Sequence, residues 1–293
     1  MYDLKMQSFK EKLPFFLKLM RFDRPVGILL LLWPTLWALW LSSDGIPSIK
    51  NLFIFTLGVV LMRAAGCVIN DFADRKIDGD IARTRTRPIP NGSITSTEAV
   101  ITFLILCSSA LALVTFTNFL TIKLSVIGCA LATIYPFMKR YTNWPQVFLG
   151  AAFAWSIPMV FAAVTNRMDQ GLWLLYGAVV IWAVVYDTFY AMIDRTDDLK
   201  IGVKSTAILF GNMDLLIIGC LQVVVLVLLA ITGAYFERGA WFYCSLIFAG
   251  ALFLHQQYIA RYRDPSSCLN AFINNNYVGL VIFVGLVLDY QVS

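Results

Sequence analysis

Two short stretches hold eight of the chain's 18 acidic residues, and they are where chemistry is to be expected. The first runs Asn70-Asp71-Phe72-Ala73-Asp74-Arg75-Lys76-Ile77-Asp78-Gly79-Asp80, and the second lies between Asp187 and Asp198. In helical geometry Asn70, Asp74 and Asp78 fall four apart and stack on one face, with Asp71 at its border; Asp194 and Asp198 repeat the spacing, and Tyr190 and Asp187 lie one and two turns earlier. Like charges stacked this way repel, and near a membrane each also carries a desolvation cost. A cation between them removes both penalties. Carboxylate and amide oxygens are hard ligands of the kind magnesium takes, one or two carboxylates at a time, together with the oxygens of a phosphate. Two such clusters could hold a diphosphate through bridging metals. The basic residues Arg75, Lys139, Arg140, Lys200 and Lys204 could neutralise the charge left as that group departs. Asp80 and Asp197 read more simply as solvated charges. His255, the only histidine, stands in an apolar run and reads as a packed or hydrogen-bonded side chain.

The elements that position these residues belong in a bilayer. Of the 293 residues, 59% are hydrophobic and only 14% charged. The mean hydropathy is +0.73, whereas a soluble domain carries about 25% charged residues. A soluble nucleic-acid-binding protein is excluded on the same ground. The apolar residues come in runs of about 20, the length that crosses a bilayer as a helix. Nine such runs are expected, at 25–42, 51–70, 98–118, 120–138, 146–165, 171–190, 213–234, 240–258 and 273–290. They are too long and continuous for barrel strands. The fold class is therefore all-α: a polytopic membrane protein forming one domain over 1–293. The charged lead before the first run shows no small-residue cleavage site, so no removable signal peptide is expected. The six cysteines are scattered with no paired metal-ligand spacing and read as core packing. Trp33, Trp37 and Trp40 in the first run read as lipid contacts or packing.

Basic residues orient the spans, because loops on the cytoplasmic side are enriched in Lys and Arg. With nine spans and a cytoplasmic N-terminus, 18 of the 23 Lys and Arg fall on the cytoplasmic side and only Lys50, Lys123, Arg167 and Arg238 on the other, with Arg63 inside the second span. Both acidic stretches then lie at cytoplasmic ends of spans. A cation-coupled transporter is the alternative from another class, since intramembrane carboxylates also mark ion pathways. Its carboxylates would sit near mid-span, however, and here they stand at span ends beside Arg and Lys.

Asn70-Asp71-x-x-Asp74-x-x-x-Asp78, preceded by Arg63-Ala64-Ala65-Gly66-Cys67 and followed by Arg83-Thr84-Arg85-Thr86-Arg87-Pro88, resembles the first signature of the UbiA superfamily of intramembrane prenyltransferases. Asp194-Arg195-Thr196-Asp197-Asp198 resembles its second. Tyr186–Met192, Lys200–Thr206 and Tyr135–Thr142 are similar to the bacterial branch that acts on 4-hydroxybenzoate in ubiquinone synthesis. The resemblance covers most of the chain. It implies nine helices around a central cavity in the bacterial inner membrane, and a magnesium-dependent transfer of a polyprenyl group from its diphosphate to the ring of 4-hydroxybenzoate. By resemblance Asn70, Asp74 and Asp78 bind one Mg2+ and Asp194 and Asp198 the other; Asp74, Asp194 and Asp198 are the catalytic carboxylates; Arg75, Lys139 and Lys204 hold the diphosphate. Arg140 and Tyr190 are expected to bind the acceptor. The same family with another acceptor, such as a naphthoate, homogentisate or haem, is the nearest alternative.

Overall fold

Several of the helices begin where a polar side chain satisfies one of the first free backbone N–H groups. In the computed structural model, which describes residues 9–79 and 84–292, Ser48 Oγ accepts from Asn51 N, Asn118 Oδ1 from Thr121 N and Ser205 Oγ from Ile208 N, while Thr95 and Glu98 form a reciprocal capping box. Asp80, Arg83 and Lys5, and the side chain of Lys10, lie outside the described residues.

In chain order the helices are α1 (Phe9–Leu19), α2 (Val26–Ser42), α3 (Ile49–Asp74), α4 (Ser96–Val114), α5 (Phe119–Met138), α6 (Pro145–Ala154), α7 (Ser156–Thr165), α8 (Gln170–Ile201), the short α9 (Thr206–Phe210), α10 (Asp214–Tyr235), α11 (Ala240–Ala260) and α12 (Pro265–Val292). Among the described residues there is no strand. Seven helical stretches are long and apolar enough to cross a membrane, with α6–α7 and α9–α10 each taken as one. The 17-residue α2 is shorter. The polar end of α11, His255-Gln256-Gln257, sets it apart from those seven. The expected run at 146–165 is broken at Trp155, and Pro158 is the cause, because it can neither donate to the carbonyl of Ala154 nor pack against it.

Two helices outrun the expected apolar segments. The runs at 51–70 and 171–190 become α3, ending at Asp74, and α8, ending at Ile201. Hydropathy marks where lipid-compatible sequence stops; backbone hydrogen bonding continues through the polar turns beyond. Gly202, at φ 73, closes α8 in the left-handed conformation that glycine adopts without strain, and Val203 N returns to Asp198 O at 3.0 Å.

A large apolar cluster built around Trp37, Trp182, Phe161, Leu172 and Leu229 packs α2, α7, α8, α10, α11 and α12 together. Within it Trp37 and Trp182 stack at 5.4 Å. Polar side chains inside the bundle find one another, as they must where no water competes. Gln222 and Gln257 link α10 to α11, Gln256 bonds Asn274, and Asn275 accepts from Trp182 at 2.8 Å.

Candidate active site

The carboxylates of α3 are all buried, and each is met by a cation from another part of the chain. Asp71 accepts from Arg21 Nη2 at 2.9 and 3.1 Å and from Arg87 Nη1 at 3.1 Å, while the same Arg87 atom lies 2.7 Å from Asp78. Asp74, only 2% exposed, pairs with Lys139 and has Arg140 Nη2 at 4.0 Å from its Oδ1. Asp78 falls one hydrogen-bonded turn past the end of α3, with its N–H donating to Asp74 O at 2.9 Å. The expected four-residue stacking survives there although the regular helix has ended. Arg21 and Arg87 were not singled out as partners of these carboxylates in the sequence. Their only signal was position: Arg87 closes the basic run after the motif, and Arg21 belongs to the charged lead.

The second stretch lies wholly on α8, where Asp187, Tyr190, Asp194 and Asp198 share one face. Asp187 bonds Gln146, whose Oε1 accepts from Thr206 N at 3.0 Å, and it interacts electrostatically with Lys139, Arg63 and Asp194. Lys139 thus stands between the two acidic stretches, paired with Asp74 on one side and within Coulomb reach of Asp187 on the other. Neighbouring basic residues are engaged elsewhere. Arg195 pairs with Asp214, Lys200 with Asp197 at 3.0 Å, and Lys204 Nζ donates to Tyr141 O at 3.2 Å. The backbone of Lys204 donates to Lys139 O at 2.9 Å, which ties the α8–α9 connection to the end of α5. Arg75 folds back on its own helix end, donating to Phe72 O at 2.7 Å and lying over the Phe72 ring. Arg140 donates to Ala73 O.

Next to this charged end lies a cavity of about 600 Å3 between α2, α3, α4, α5, α6 and α7, walled by apolar residues such as Phe55, Met62, Ala110, Phe153 and Met159. That volume suits a small-molecule site. Its polar residues include Arg63 and Tyr135; the Tyr135 hydroxyl donates to Gly66 O at 3.2 Å. Arg63 bonds Cys67, and its buried Nε has no hydrogen-bond partner. Tyr135, Tyr186 and Tyr190 all lie within its electrostatic reach, and Tyr190 packs on Phe272 at 5.0 Å.

Among the described residues no three His, Cys, Asp or Glu side chains form a ready metal-binding group. The donor set still fits magnesium, which needs only one or two carboxylates and keeps water and phosphate for its other positions. A specific observation supports the fit: Asp74 Oδ1 is buried and has no hydrogen-bond partner. Arg140 at 4.0 Å meets that oxygen without a hydrogen bond, so a buried acceptor remains that a closer cation would satisfy.

A polytopic helical bundle with acidic helix ends over an apolar chamber defines a class of intramembrane transferases, and the chain belongs to the UbiA prenyltransferase family, whose pattern spans residues 31–280. Its relatives narrow that class. Over 284 residues, 97% of this chain and 95% of the relative, it is 60% identical to the 4-hydroxybenzoate octaprenyltransferase of Saccharophagus degradans. The enzyme of the same name from Citrobacter koseri is 55% identical over 281 residues, 96% of this chain and 97% of that one. In fold the chain is similar to a UbiA homolog from Aeropyrum pernix, with a TM-score of 0.80 at 23% identity over 92% of this chain and 98% of that one. It is also similar to a UbiA homolog from Archaeoglobus fulgidus bound to GPP and Mg2+, with a TM-score of 0.69 at 19% identity over 93% of this chain and 99% of that one.

Proposed function

We propose that this protein is a 4-hydroxybenzoate polyprenyltransferase of ubiquinone biosynthesis, moving a polyprenyl group from its diphosphate to the ring carbon beside the acceptor's hydroxyl and releasing diphosphate. The close relatives carry that activity in their names. The observation that supports it in this chain is Lys139, held between the Asp74 and Asp187 stretches beside an apolar cavity. Magnesium, when bound, supplies the positive charge that makes the diphosphate a good leaving group. Asn70, Asp74 and Asp78 would hold one ion, and Asp194 and Asp198 another. Lys139 and Lys204 would meet the diphosphate oxygens as the allylic carbon–oxygen bond breaks, and Arg75 would reach them by leaving the Phe72 ring. The apolar walls take the prenyl tail and keep water from the allylic cation until the ring attacks it.

For the acceptor carboxylate the first candidate is Arg140, beside Lys139, with Tyr190 against the ring. A second reading comes from Arg63, whose buried Nε lacks a partner and which lies on the cavity wall. A planar guanidinium suits a carboxylate at either place.

The bilayer solvates a single domain over 1–293 with nine spans, α2 and α11 completing the set. The N-terminus and the loops at 71–97 and 191–212 face the cytoplasm across the bacterial inner membrane, as the partition of basic residues requires. Reporter fusions at residues 85 and 293 should report opposite sides; agreement between them would overturn that topology. The activity is tested by incubating purified protein with 4-hydroxybenzoate and a radiolabelled allylic diphosphate. Labelled prenylated acid should form with Mg2+ and not with chelator. Formation of none, in folded protein with both substrates and Mg2+, would refute the assignment.

A further inference from the structure

Asp214 takes no part in the site described above, yet it is fully buried and is the most heavily bonded carboxylate on the far side of α8. Arg195 bonds its Oδ2. Arg263 Nε reaches both of its oxygens, at 3.0 and 3.2 Å, and Arg263 Nη2 lies 2.9 Å from Oδ1. Leu215 N adds a further bond at 2.6 Å, and Arg263 also donates to Asn212 O at 3.0 Å. One carboxylate thereby joins three segments: the last turns of α8, the start of α10 and the connection from α11 to α12.

The position of Arg195 gives this clamp its meaning. It follows Asp194 directly, so its side chain leaves α8 about 100° around the axis from Asp194, at 3.6 residues per turn. On that other face Val185, Phe189 and Met192 pack against Ala207, Ile218, Ala260 and Cys268, and Thr188 bonds Thr206 at 2.7 Å. That packing ends near Met192, whereas α8 runs on to Ile201. Rotation of the last turns would carry Asp194 and Asp198 off the face they share with Asp187, the carboxylate within Coulomb reach of Lys139. The Arg195–Asp214 pair continues the grip within the helix itself, beyond the apolar contacts and before the Lys204 N–Lys139 O bond that follows it.

We infer that Asp214 is a positioning residue for the second aspartate pair, fixing through Arg195 the rotation of the α8 end so that Asp194 and Asp198 face the first acidic stretch. The inference rests on the proposed metal-binding role of Asp194 and Asp198. Its test is Mn2+ binding followed by electron paramagnetic resonance, on the full-length protein in detergent with inorganic diphosphate present and no turnover. Asp214→Asn keeps the size of the side chain and removes its charge. It should weaken Mn2+ binding by about tenfold, as loss of a partner that orients metal ligands does elsewhere, while the KM for 4-hydroxybenzoate stays within about twofold. Arg195→Gln should shift Mn2+ binding in the same direction, and it carries the test if Asp214→Asn does not fold. Unchanged Mn2+ binding in either folded variant overturns the inference, as does a rise in both constants together, which marks general loosening. Asp194→Ala separates the two levels. If it retains normal Mn2+ binding, the metal reading itself has failed; if it loses binding while Asp214→Asn does not, only the positioning role is wrong.

Discussion

The two acidic stretches look alike in sequence, yet the chain surrounds them differently. On α3 and the turn after it, Asp71, Asp74 and Asp78 are sunk below the surface and met by Arg21, Arg87 and Lys139, drawn from three other segments. On α8 the adjacent cations are led away, Arg195 to Asp214, Lys200 to Asp197 and Lys204 to a backbone carbonyl. Identical four-residue spacing therefore says nothing about which cation answers a carboxylate. The first stretch combines two jobs, with Asp71 locking α3 to the α1–α2 connection and the loop before α4, and Asp74 facing Lys139. The second is arranged to turn its own arginine about 100° away, onto Asp214.

The sharpest way to break this contrast is to remove one carboxylate from each side. Asp74→Ala and Asp194→Ala should each lower kcat about a thousandfold or more in folded protein, the scale of lost transition-state charge stabilisation. Chelation of Mg2+ should do the same to the unmodified enzyme. A folded Asp74→Ala protein with full activity in chelator would end the metal–diphosphate reading.

Asp71 tests the locking half of the contrast. Asp71→Ala strands Arg21 and leaves Arg87 with Asp78 alone, and breaking a buried pair in this way costs about 3 kcal/mol or more. Its thermal unfolding temperature in detergent should fall well below that of Asp198→Ala. Equal stability in the two variants would show that the α3 stretch is no more locked than the other.

A smaller effect separates the arginines. If Arg140 holds the acceptor, Arg140→Ala should raise the KM for 4-hydroxybenzoate more than that for the diphosphate, with the lost contact worth about 1.5–3 kcal/mol. Lys139→Ala should show the opposite bias. Should Arg140→Ala weaken only the diphosphate, the same measurement on Arg63→Ala identifies the acceptor's partner. The smallest change is expected from Lys204→Ala, whose contact is exposed: its KM for the diphosphate should rise by about fivefold or less, in line with about 1 kcal/mol for such contacts. A hundredfold rise would give Lys204 a rank equal to Lys139.

Much of this protein was legible in its residues. Runs of apolar sequence imply helices in lipid because the backbone must satisfy its own hydrogen bonds there, and most of each of the nine runs lies in helix, seven of them in stretches with the length and apolarity of a span. The aspartate spacing placed Asn70, Asp74, Asp194 and Asp198 on common helix faces because that periodicity is local. Helix ends were less legible, since α3 and α8 continue past their apolar runs into turns held by backbone bonds. The pairing of charges was not legible at all. Arg21 lies 50 residues from Asp71, Arg263 lies 49 from Asp214, and Gln146 lies 60 from Thr206. Such contacts depend on how whole helices pack, and a local pattern carries no information about them. The cavity beside Arg63 arises in the same way, from six helices whose side chains only the tertiary structure brings to one wall.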